Sequence, residues 1–319
     1  MKVKYSFFIK NSYTLEIKYL HNDEINFVRW DNCINTAFNG NIFAYSWYLN
    51  ILCDNWGGLI LGDYKYVMPL IHTTFFKKDI LTTPVLGEKL GVFTNEILTE
   101  EIVNHFFDAI PPNYCFIKTM LNKYNNISNN NFEINQRKIY ELDLMQSYSL
   151  ISQKYSNTFH KDIQVAKSNK ITVVNGLSPN DLINLSNKKG SRSIPNLTIS
   201  NISQLRMIIA FSIRYNLGEI YGAYTAENNL CAAVFFIKSK NKIYLLFNTE
   251  NKTSEFSKAM SLLIDRFIEN HSEKNLTLNL DNLVVKDAIH FLQGVGATEY
   301  RIKTAFRNQL PFIYKLFLK

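Results

Sequence analysis

The 319-residue chain is 46% hydrophobic, has a formal net charge of +8 and contains four cysteines. This apolar content is enough for a buried core, and the length fits two domains. Cys33, Cys53, Cys115 and Cys231 show no paired spacing, which argues against a zinc site or a disulfide framework. No stretch reaches the roughly 18 consecutive apolar residues of a membrane span, and no signal-peptide pattern opens the chain. We therefore expect a cytoplasmic protein without a membrane span.

The positive charge is confined to the second part of the chain. Residues 1–140 contain 13 Lys and Arg against 13 Asp and Glu, whereas residues 141–319 contain 22 against 14. Seven basic residues lie close in sequence: Lys154, Lys161, Lys167, Lys170, Lys188, Lys189 and Arg192. Such a stretch is either an ordinary solvated surface or a contact surface for RNA, a nucleotide or a membrane surface.

The first half predicts short strands that alternate with helices. Apolar periodicity and turn signals such as Asn39-Gly40 and Gly62-Asp63 define these elements. The predicted strands are residues 5–9, 13–19, 57–61, 66–71, 83–93, 114–120 and 138–144. Two helices are predicted to begin at Trp30 and at Ser46. A third is predicted at residues 98–109, where Thr99 is placed to cap it.

The second half has a sharper pattern. A long polar helix is predicted at residues 148–169, and a meander of three strands follows further along. The remaining predicted elements are strands at 171–175, 218–226, 230–238, 242–249, 276–280 and 299–306, and helices at 178–187, 202–215 and 284–293. Together the two halves predict an α/β (α+β) fold of two tandem domains, residues 1–144 and 145–319. Each domain is expected to have a mixed, mostly antiparallel sheet flanked by helices.

A strand, a short polar loop and a capped helix follow one another from residue 242 to residue 270. The helix is marked by an apolar stripe of Phe256, Ala259, Met260, Leu263, Ile264 and Phe267. Because a helix start offers free N–H groups, such a loop is a candidate cofactor site. Its candidate ligands are Asn248, Thr249, Lys252, Thr253 and Ser254. The alternative is a plain helix cap, for which Thr and Ser need no ligand.

Several segments resemble FemAB-like proteins, which have two GNAT-type (N-acetyltransferase-type) domains in tandem. Residues 155–166 are similar to the family's basic helix, and Phe-Leu-Gln-Gly-Val-Gly at 291–296 is similar to a segment near its end. Residues 45–49 and 90–93 look like first-domain segments of an uncharacterised branch. The resemblance implies two tandem GNAT-like domains in a bacterial protein. It also implies transfer of an acyl or aminoacyl group to a small-molecule or peptide amine.

The resemblance leaves the donor open between acyl-CoA and aminoacyl-tRNA. GNAT acetyltransferases typically have glycines after the fourth strand, where backbone N–H groups close on a pyrophosphate. The matching loop here, residues 248–254, contains no glycine. Fem-type enzymes use aminoacyl-tRNA, which suits the basic stretch. The pantetheine arm of acyl-CoA could enter only if the strand before the helix splays from its neighbour and no side chains fill the gap between the two strands.

Two further groups of residues are candidate substrate contacts. Tyr45, Trp47 and Tyr48 are either the aromatic wall of a cleft or core packing. Tyr300 on the last predicted strand is a candidate general acid. Arg301 and Lys303 would hold an anionic group, unless this is simply strand surface. No metal-ligand spacing and no nucleophile motif is present, so we expect neither a metal nor a covalent mechanism.

The sequence thus supports two functions of different classes. The first is an acyltransferase of the FemAB-like type. The second is a non-catalytic GNAT-like binding protein that has lost its donor site, which the missing glycines favour.

Overall fold

The computed structural model describes residues 6–8, 14–53, 55–75 and 78–311. The chain divides into two compact units, one formed by Met1–Arg137 with Arg301–Lys319 and the other by Lys138–Tyr300. The predicted tandem domains, divided after residue 144, stay a prediction. Tyr5, Ile9 and Tyr13, which belong to two predicted strands, lie outside the described residues.

The strands are numbered along the chain. They are β1 (Ser6–Phe8), β2 (Thr14–Leu20), β3 (Gly57–Leu61), β4 (Tyr66–Leu70), β5 (His72–Phe75), β6 (Lys78–Thr82), β7 (Phe93–Thr94), β8 (Phe116–Met120), β9 (Glu133–Asp143), β10 (Thr172–Asn175), β11 (Gly218–Tyr224), β12 (Leu230–Ser239), β13 (Lys242–Glu250), β14 (Thr277–Asn279) and β15 (Thr298–Asn308).

The α-helices are numbered in the same way. They are α1 (Phe27–Thr36), α2 (Ser46–Leu52), α3 (Glu100–Asp108), α4 (Tyr148–Ser152), α5 (Asn157–Ser168), α6 (Pro179–Asn187), α7 (Ile199–Arg214), α8 (Lys252–Ser257), α9 (Ala259–His271) and α10 (Ala288–Gly294). In the part of the chain that the structure describes, no helix is both long enough and apolar enough to cross a bilayer.

The first unit contains two groups of paired strands. One is antiparallel throughout, in the order β1-β2-β3-β4-β7. In the other, β8 pairs with β15 antiparallel and with β6 parallel, and β6 pairs with β5. Helix α3 supplies Val103, Phe106 and Phe107 to a core that also holds Leu59, Met68 and other strand residues. The aromatic and branched residues of these strands thus bury one face against a helix.

The second unit has one run of paired strands in the order β10-β11-β12-β13-β14-β9. All neighbours are antiparallel except β13 and β14. Val234 and Phe236 on β12 belong to the core beneath α5 and α9. Alternate strand residues point to opposite faces, so Phe235 faces the other way, towards Ser212 on α7. The sheet therefore has helices on both faces. This confirms the predicted fold class of mixed, mostly antiparallel sheets flanked by helices.

Two predicted helices are wrong because each is interrupted. The polar helix predicted at 148–169 is split into α4 and α5 by residues 153–156, where the Ser156 hydroxyl accepts from Phe159 N and caps α5. The helix predicted after β13 is split at Lys258, whose backbone is left-handed with φ of 58°. As a result Phe256, placed on the predicted buried stripe, is 79% exposed.

Two further boundaries differ from prediction for a physical reason. The predicted strand at 83–93 is mostly loop: Phe93 and its neighbour Thr94 form β7, and Leu90 makes a single bridge to Leu121. Buried asparagines hold this loop: Asn39 donates to Val92 O at 2.8 Å, and Asn41 donates to Lys89 O at 2.7 Å. The helix predicted from 284 begins at Ala288 instead.

Candidate functional site

The candidate site lies in the second unit, at the end of β13. Opposite β12, β13 carries a bulge, where the pairs Phe235 with Phe247 and Phe236 with Leu245 leave Leu246 unmatched. Such a bulge re-aims the residues that follow it. On the other side, β13 pairs with β14 only as far as Tyr244 opposite Asn279. The site is therefore built where two parallel strands part.

Asn248 contacts Val284, which lies beyond the point where the two strands part. Its fully buried carboxamide donates from Nδ2 to Val284 O at 2.9 Å and accepts at Oδ1 from Val284 N at 2.8 Å. These two bonds hold the segment before α10, and Asp287, whose backbone is left-handed with φ of 55°, separates that segment from the helix.

Two residues further along β13 lies Glu250, whose carboxylate side chain is only 5% exposed. The Arg192 guanidinium lies 2.8 Å from Glu250 Oε1 and 3.1 Å from Glu255 Oε2. The backbones of Arg192 and Glu250 also pair. Arg192 N donates to Glu250 O at 2.7 Å, and Glu250 N donates to Arg192 O at 3.0 Å. Residues 188–195, which we call the strap, thus lie along the end of β13.

Burial raises the pKa of Glu250 above its ordinary value, and the hydrogen bond and charge of Arg192 oppose that rise. By contrast, the pKa of Glu255 is lowered, first by its hydrogen bond to Lys286. Lys286 Nζ lies 3.0 Å from Glu255 Oε1. The pKa values of these two neighbouring carboxylates are therefore shifted in opposite directions. Glu250, whose pKa is raised, is the one suited to hold a proton.

Glu250 opens on a pocket of about 440 Å³. The strap supplies one wall, including Ser191, Ile194 and Pro195, and the start of α8 supplies another. The pocket mixes charges of both signs, because Arg192 and Lys252 face it together with Glu250 and Glu255. Glu250 was missed from sequence, where a charged residue ending an apolar strand was its only signal. Arg192 was named only as a member of the basic stretch, and nothing there indicated a pairing with Glu250.

The structure places the five predicted cofactor ligands differently from one another. Thr249 is fully buried, and its hydroxyl has no hydrogen-bond partner within the described residues. Ser254 is buried too, with its N–H bonded to Asn251 Oδ1 at 3.0 Å, so Asn251 caps α8. Only Lys252 and Thr253 have exposed side chains. A role for the five as cofactor ligands stays a prediction.

These residues do not fit acyl-CoA. The Asn248 carboxamide already takes up the N–H of Val284, which is then not free to bond an amide of a pantetheine arm. No glycine is present at 248–254 to bring backbone N–H groups onto a pyrophosphate.

The three aromatic candidates lie at the start of α2 in the first unit. Tyr48 is fully buried, its hydroxyl donates to Leu86 O at 2.6 Å, and its ring meets Phe43 edge-on. Tyr45 and Trp47 are half-buried. The placement of Tyr48 supports the packing interpretation, and a substrate role for the three stays a prediction.

The candidates on β15 are spread along the strand. Tyr300 is 42% exposed and is the last residue of the second unit. In the first unit, Arg301 donates to Gln136 Oε1 at 3.2 Å and Lys303 donates to Ile127 O at 2.7 Å. Lys303 is thus engaged in holding a loop. The proposed acid and cation roles stay predictions.

The basic stretch is divided by its contacts. Lys154 donates to Gln146 Oε1 at 2.7 Å, and Arg192 belongs to the candidate site. Lys161, Lys167 and Lys170 are exposed on or just after α5. Among the residues described, no group of three or more His, Cys, Asp and Glu side chains is arranged to hold a metal ion.

Comparison with known proteins gives the class of fold. No protein-family model matches the sequence, and no curated protein matches it. Solved structures do match, and they show the FemAB-like fold that the sequence segments suggested.

The particular structures cover nearly the whole chain. FemX shares 11% identity over 95% of this chain and 100% of its own, with a TM-score of 0.60. L-PGS from Bacillus licheniformis shares 10% identity over 85% of this chain and 90% of its own, with a TM-score of 0.50. A conserved protein of unknown function from Bacteroides thetaiotaomicron has a TM-score of 0.53 at 8% identity, over 91% and 99%. At these identities the likeness concerns the fold alone.

Proposed function

We propose that this protein is an N-acyltransferase that moves an acyl or aminoacyl group onto an amine. The observation that carries the proposal is Glu250, a buried carboxylate with a raised pKa that opens on a pocket at the end of β13. An amine is protonated near neutral pH and must lose a proton before it attacks a carbonyl. A carboxylate with a raised pKa is a suitable acceptor for that proton.

In the proposed step, the amine gives its proton to Glu250 and its nitrogen bonds to the donor's carbonyl carbon. The bond from that carbon to the leaving oxygen then breaks, the leaving oxygen takes up a proton from an acid, and the surplus proton that the nitrogen still carries passes back to that acid. Tyr300 is proposed as the acid that supplies this proton, as the sequence suggested. We propose a small-molecule or peptide amine as the acceptor.

Aminoacyl-tRNA is the proposed donor, in a bacterial cytoplasm. Acyl-CoA is disfavoured by Asn248, which takes up the N–H of Val284, and by the lack of glycine at 248–254. The exposed Lys161, Lys167 and Lys170 offer positive charge to a phosphate backbone. Affinity for tRNA is then expected to fall steeply as salt rises.

The test is a transfer assay with tRNA charged with labelled amino acids and a panel of amines. We expect Glu250→Gln, which keeps the shape but cannot accept the proton, to lower the rate by about 10²–10⁴-fold. Glu255→Gln is the matched control from the same pocket and should change the rate by about threefold or less. Full activity in a folded Glu250→Gln variant would remove Glu250 from the mechanism.

A second function is favoured by one observation, the absence of glycine at 248–254, the loop that would meet the pyrophosphate of a donor. It is consistent with a binding protein that keeps the fold without a donor site. In that case charged tRNA and CoA thioesters both fail to raise the melting temperature, while an amine ligand for the Glu250 pocket does.

A further inference from the structure

We infer that the pocket beside Glu250 takes an amine that also carries a carboxylate, and that Lys252 binds this carboxylate. The inference rests on the proposed function for the place that receives the amine. It adds a second charged group to the acceptor, which the proposed function leaves open. The observations that carry it are the charges around the pocket and the ion pairs that these charges already make.

Lys252 is a cation of the pocket wall. It is the first residue of α8, its side chain is exposed, and it lines the same pocket as Glu250, two positions before it. A Cβ placed on Gly190 would lie 3.9 Å from Cε of Lys252. The aliphatic stem of Lys252 therefore lies beside the strap at Gly190, on the other side of the pocket's charged groups from solvent-exposed α8 residues further along.

The other charged groups of the pocket are already paired. Arg192 contacts both carboxylates, with Nη1 2.8 Å from Glu250 Oε1 and Nη2 3.1 Å from Glu255 Oε2. Lys286 Nζ lies 3.0 Å from the other carboxylate oxygen of Glu255. Among the residues that the structure describes, Lys252 makes no ion pair. Lys252 is therefore the cation of the pocket that is left to bind an anion.

These charges determine which amine the pocket favours. A plain ammonium group that approaches Glu250 also approaches the unbalanced charge of Lys252, and like charges repel. A carboxylate on the same molecule pairs with Lys252 and offsets this repulsion. A phosphate has about 1.5 to 2 negative charges near neutral pH, so it would be repelled more strongly by Glu250 and Glu255. The pocket, of about 440 Å³, therefore suits a molecule of the amino-acid class.

The test compares amines that differ only in the carboxylate. The probes are glycine, β-alanine, γ-aminobutyrate and ε-aminocaproate, each measured beside its own neutral amide, so that the amine and the chain length stay constant within a pair. Affinities come from the rise in melting temperature of the full chain with ligand concentration. We expect at least one acid to bind about fourfold or more tightly than its amide at low salt.

Two variants show whether Lys252 causes this preference. Lys252→Gln removes the charge at an exposed position, and it should bring the ratio of the two affinities to about one, because the acid and its amide then meet no cation there. Lys189→Gln is the matched control, since Lys189 is exposed on the same strap but does not line the pocket. This control should leave most of the ratio in place.

Three results would overturn the inference. They are a native protein in which no acid binds more tightly than its amide, an unchanged ratio in folded Lys252→Gln, and a ratio that falls as far in Lys189→Gln as in Lys252→Gln. The last would assign the preference to the overall positive charge of the strap. The readout is a ratio of affinities and needs no transfer activity, so the inference and the Glu250→Gln activity test fail separately.

Discussion

Arg192 and Glu250 are separated by 58 positions in sequence and are joined by three hydrogen bonds. Two connect their backbones, at 2.7 and 3.0 Å, and the third connects Nη1 of Arg192 to Oε1 of Glu250 at 2.8 Å. The backbone pair fixes where the guanidinium sits, and the guanidinium limits how far burial raises the pKa of Glu250. The strap therefore sets both the position and the proton affinity of the proposed proton acceptor.

Removing the Arg192 side chain should destabilise the fold. Arg192→Ala leaves a buried carboxylate without its charged partner, and we expect a loss of about 1–3 kcal/mol in the free energy of unfolding by urea titration. The control is Arg29→Ala, whose partner Asp63 is an exposed carboxylate. Exposed pairs contribute about 0–1 kcal/mol. Equal losses in the two variants would mean that Glu250 is not desolvated as described.

The sequence predicted most of the second unit, because long apolar strands separated by short polar turns have few alternative structures. The strands at 218–226, 230–238 and 242–249 were placed within about two residues of β11, β12 and β13. The absence of glycine at 248–254 is also evident from the sequence, and its consequence for the donor stays a prediction. These features depend on local sequence alone.

What the sequence did not predict depends on contacts between distant residues. Glu250 acquires its raised pKa from burial under the strap, and nothing near Glu250 in sequence announces Arg192. The segment before α10 is held by Asn248, 36 positions before Val284, and the left-handed backbone of Asp287 separates it from the helix. The break at Lys258 places a non-glycine residue in a left-handed conformation, which local propensity opposes.

Gly91 should tolerate no side chain. Its φ is 110°, and a Cβ there would lie 2.7 Å from Asn125 Oδ1, the atom that accepts from Val92 N. We expect Gly91→Ala to lower the free energy of unfolding by about 2–4 kcal/mol, from backbone strain and a lost buried hydrogen bond together.

Gly176 provides the control for that variant. Its φ is also positive, at 87°, but a Cβ there meets nothing within 4 Å. Gly176→Ala therefore measures the backbone cost alone, about 1 kcal/mol. If denaturation curves give the same loss for both glycines, Asn125 does not constrain the loop at Gly91.

The break between α8 and α9 predicts unequal roles for two phenylalanines that the sequence placed on one stripe. Phe267 is fully buried and stacks on Phe236 with ring centroids 3.6 Å apart, whereas Phe256 is exposed. Phe267→Ala should cost about 3–5 kcal/mol and Phe256→Ala about 0.5 kcal/mol or less. A large loss from Phe256→Ala in thermal unfolding would favour a continuous helix.

Asp265 on α9 should destabilise the folded state at neutral pH. It is buried and accepts from the Tyr148 hydroxyl at 2.9 Å, and burial raises its pKa above the ordinary 3.8. A carboxyl whose folded pKa is raised contributes stability below its unfolded pKa and loses that contribution as pH rises through the folded pKa. Asp265→Asn keeps an acceptor for Tyr148, so its stability relative to the native protein should improve between about pH 4 and pH 7. No such change in urea midpoints would mean that Asp265 stays hydrated.

Glu219 should show the opposite dependence. Its Oε1 lies 3.0 Å from Nε2 of the buried His271, and Asn175 donates to Oε2 at 3.2 Å. The bond to His271 lowers the pKa of Glu219 below the ordinary 4.5. The contribution of Glu219 to stability is therefore complete above the ordinary pKa of 4.5. It disappears as the pH falls through the lower pKa of the folded state.

Because the Glu219 side chain is 40% exposed, we expect Glu219→Gln to cost about 1 kcal/mol or less at pH 7. The difference from the native protein should shrink as pH falls below about 4.5. Urea midpoints measured from pH 7 down to about pH 3 test this, with Asp265→Asn as the control of opposite sign. A difference between Glu219→Gln and the native protein that stays constant with pH would show that the Glu219 carboxylate gains nothing from its hydrogen bond to His271.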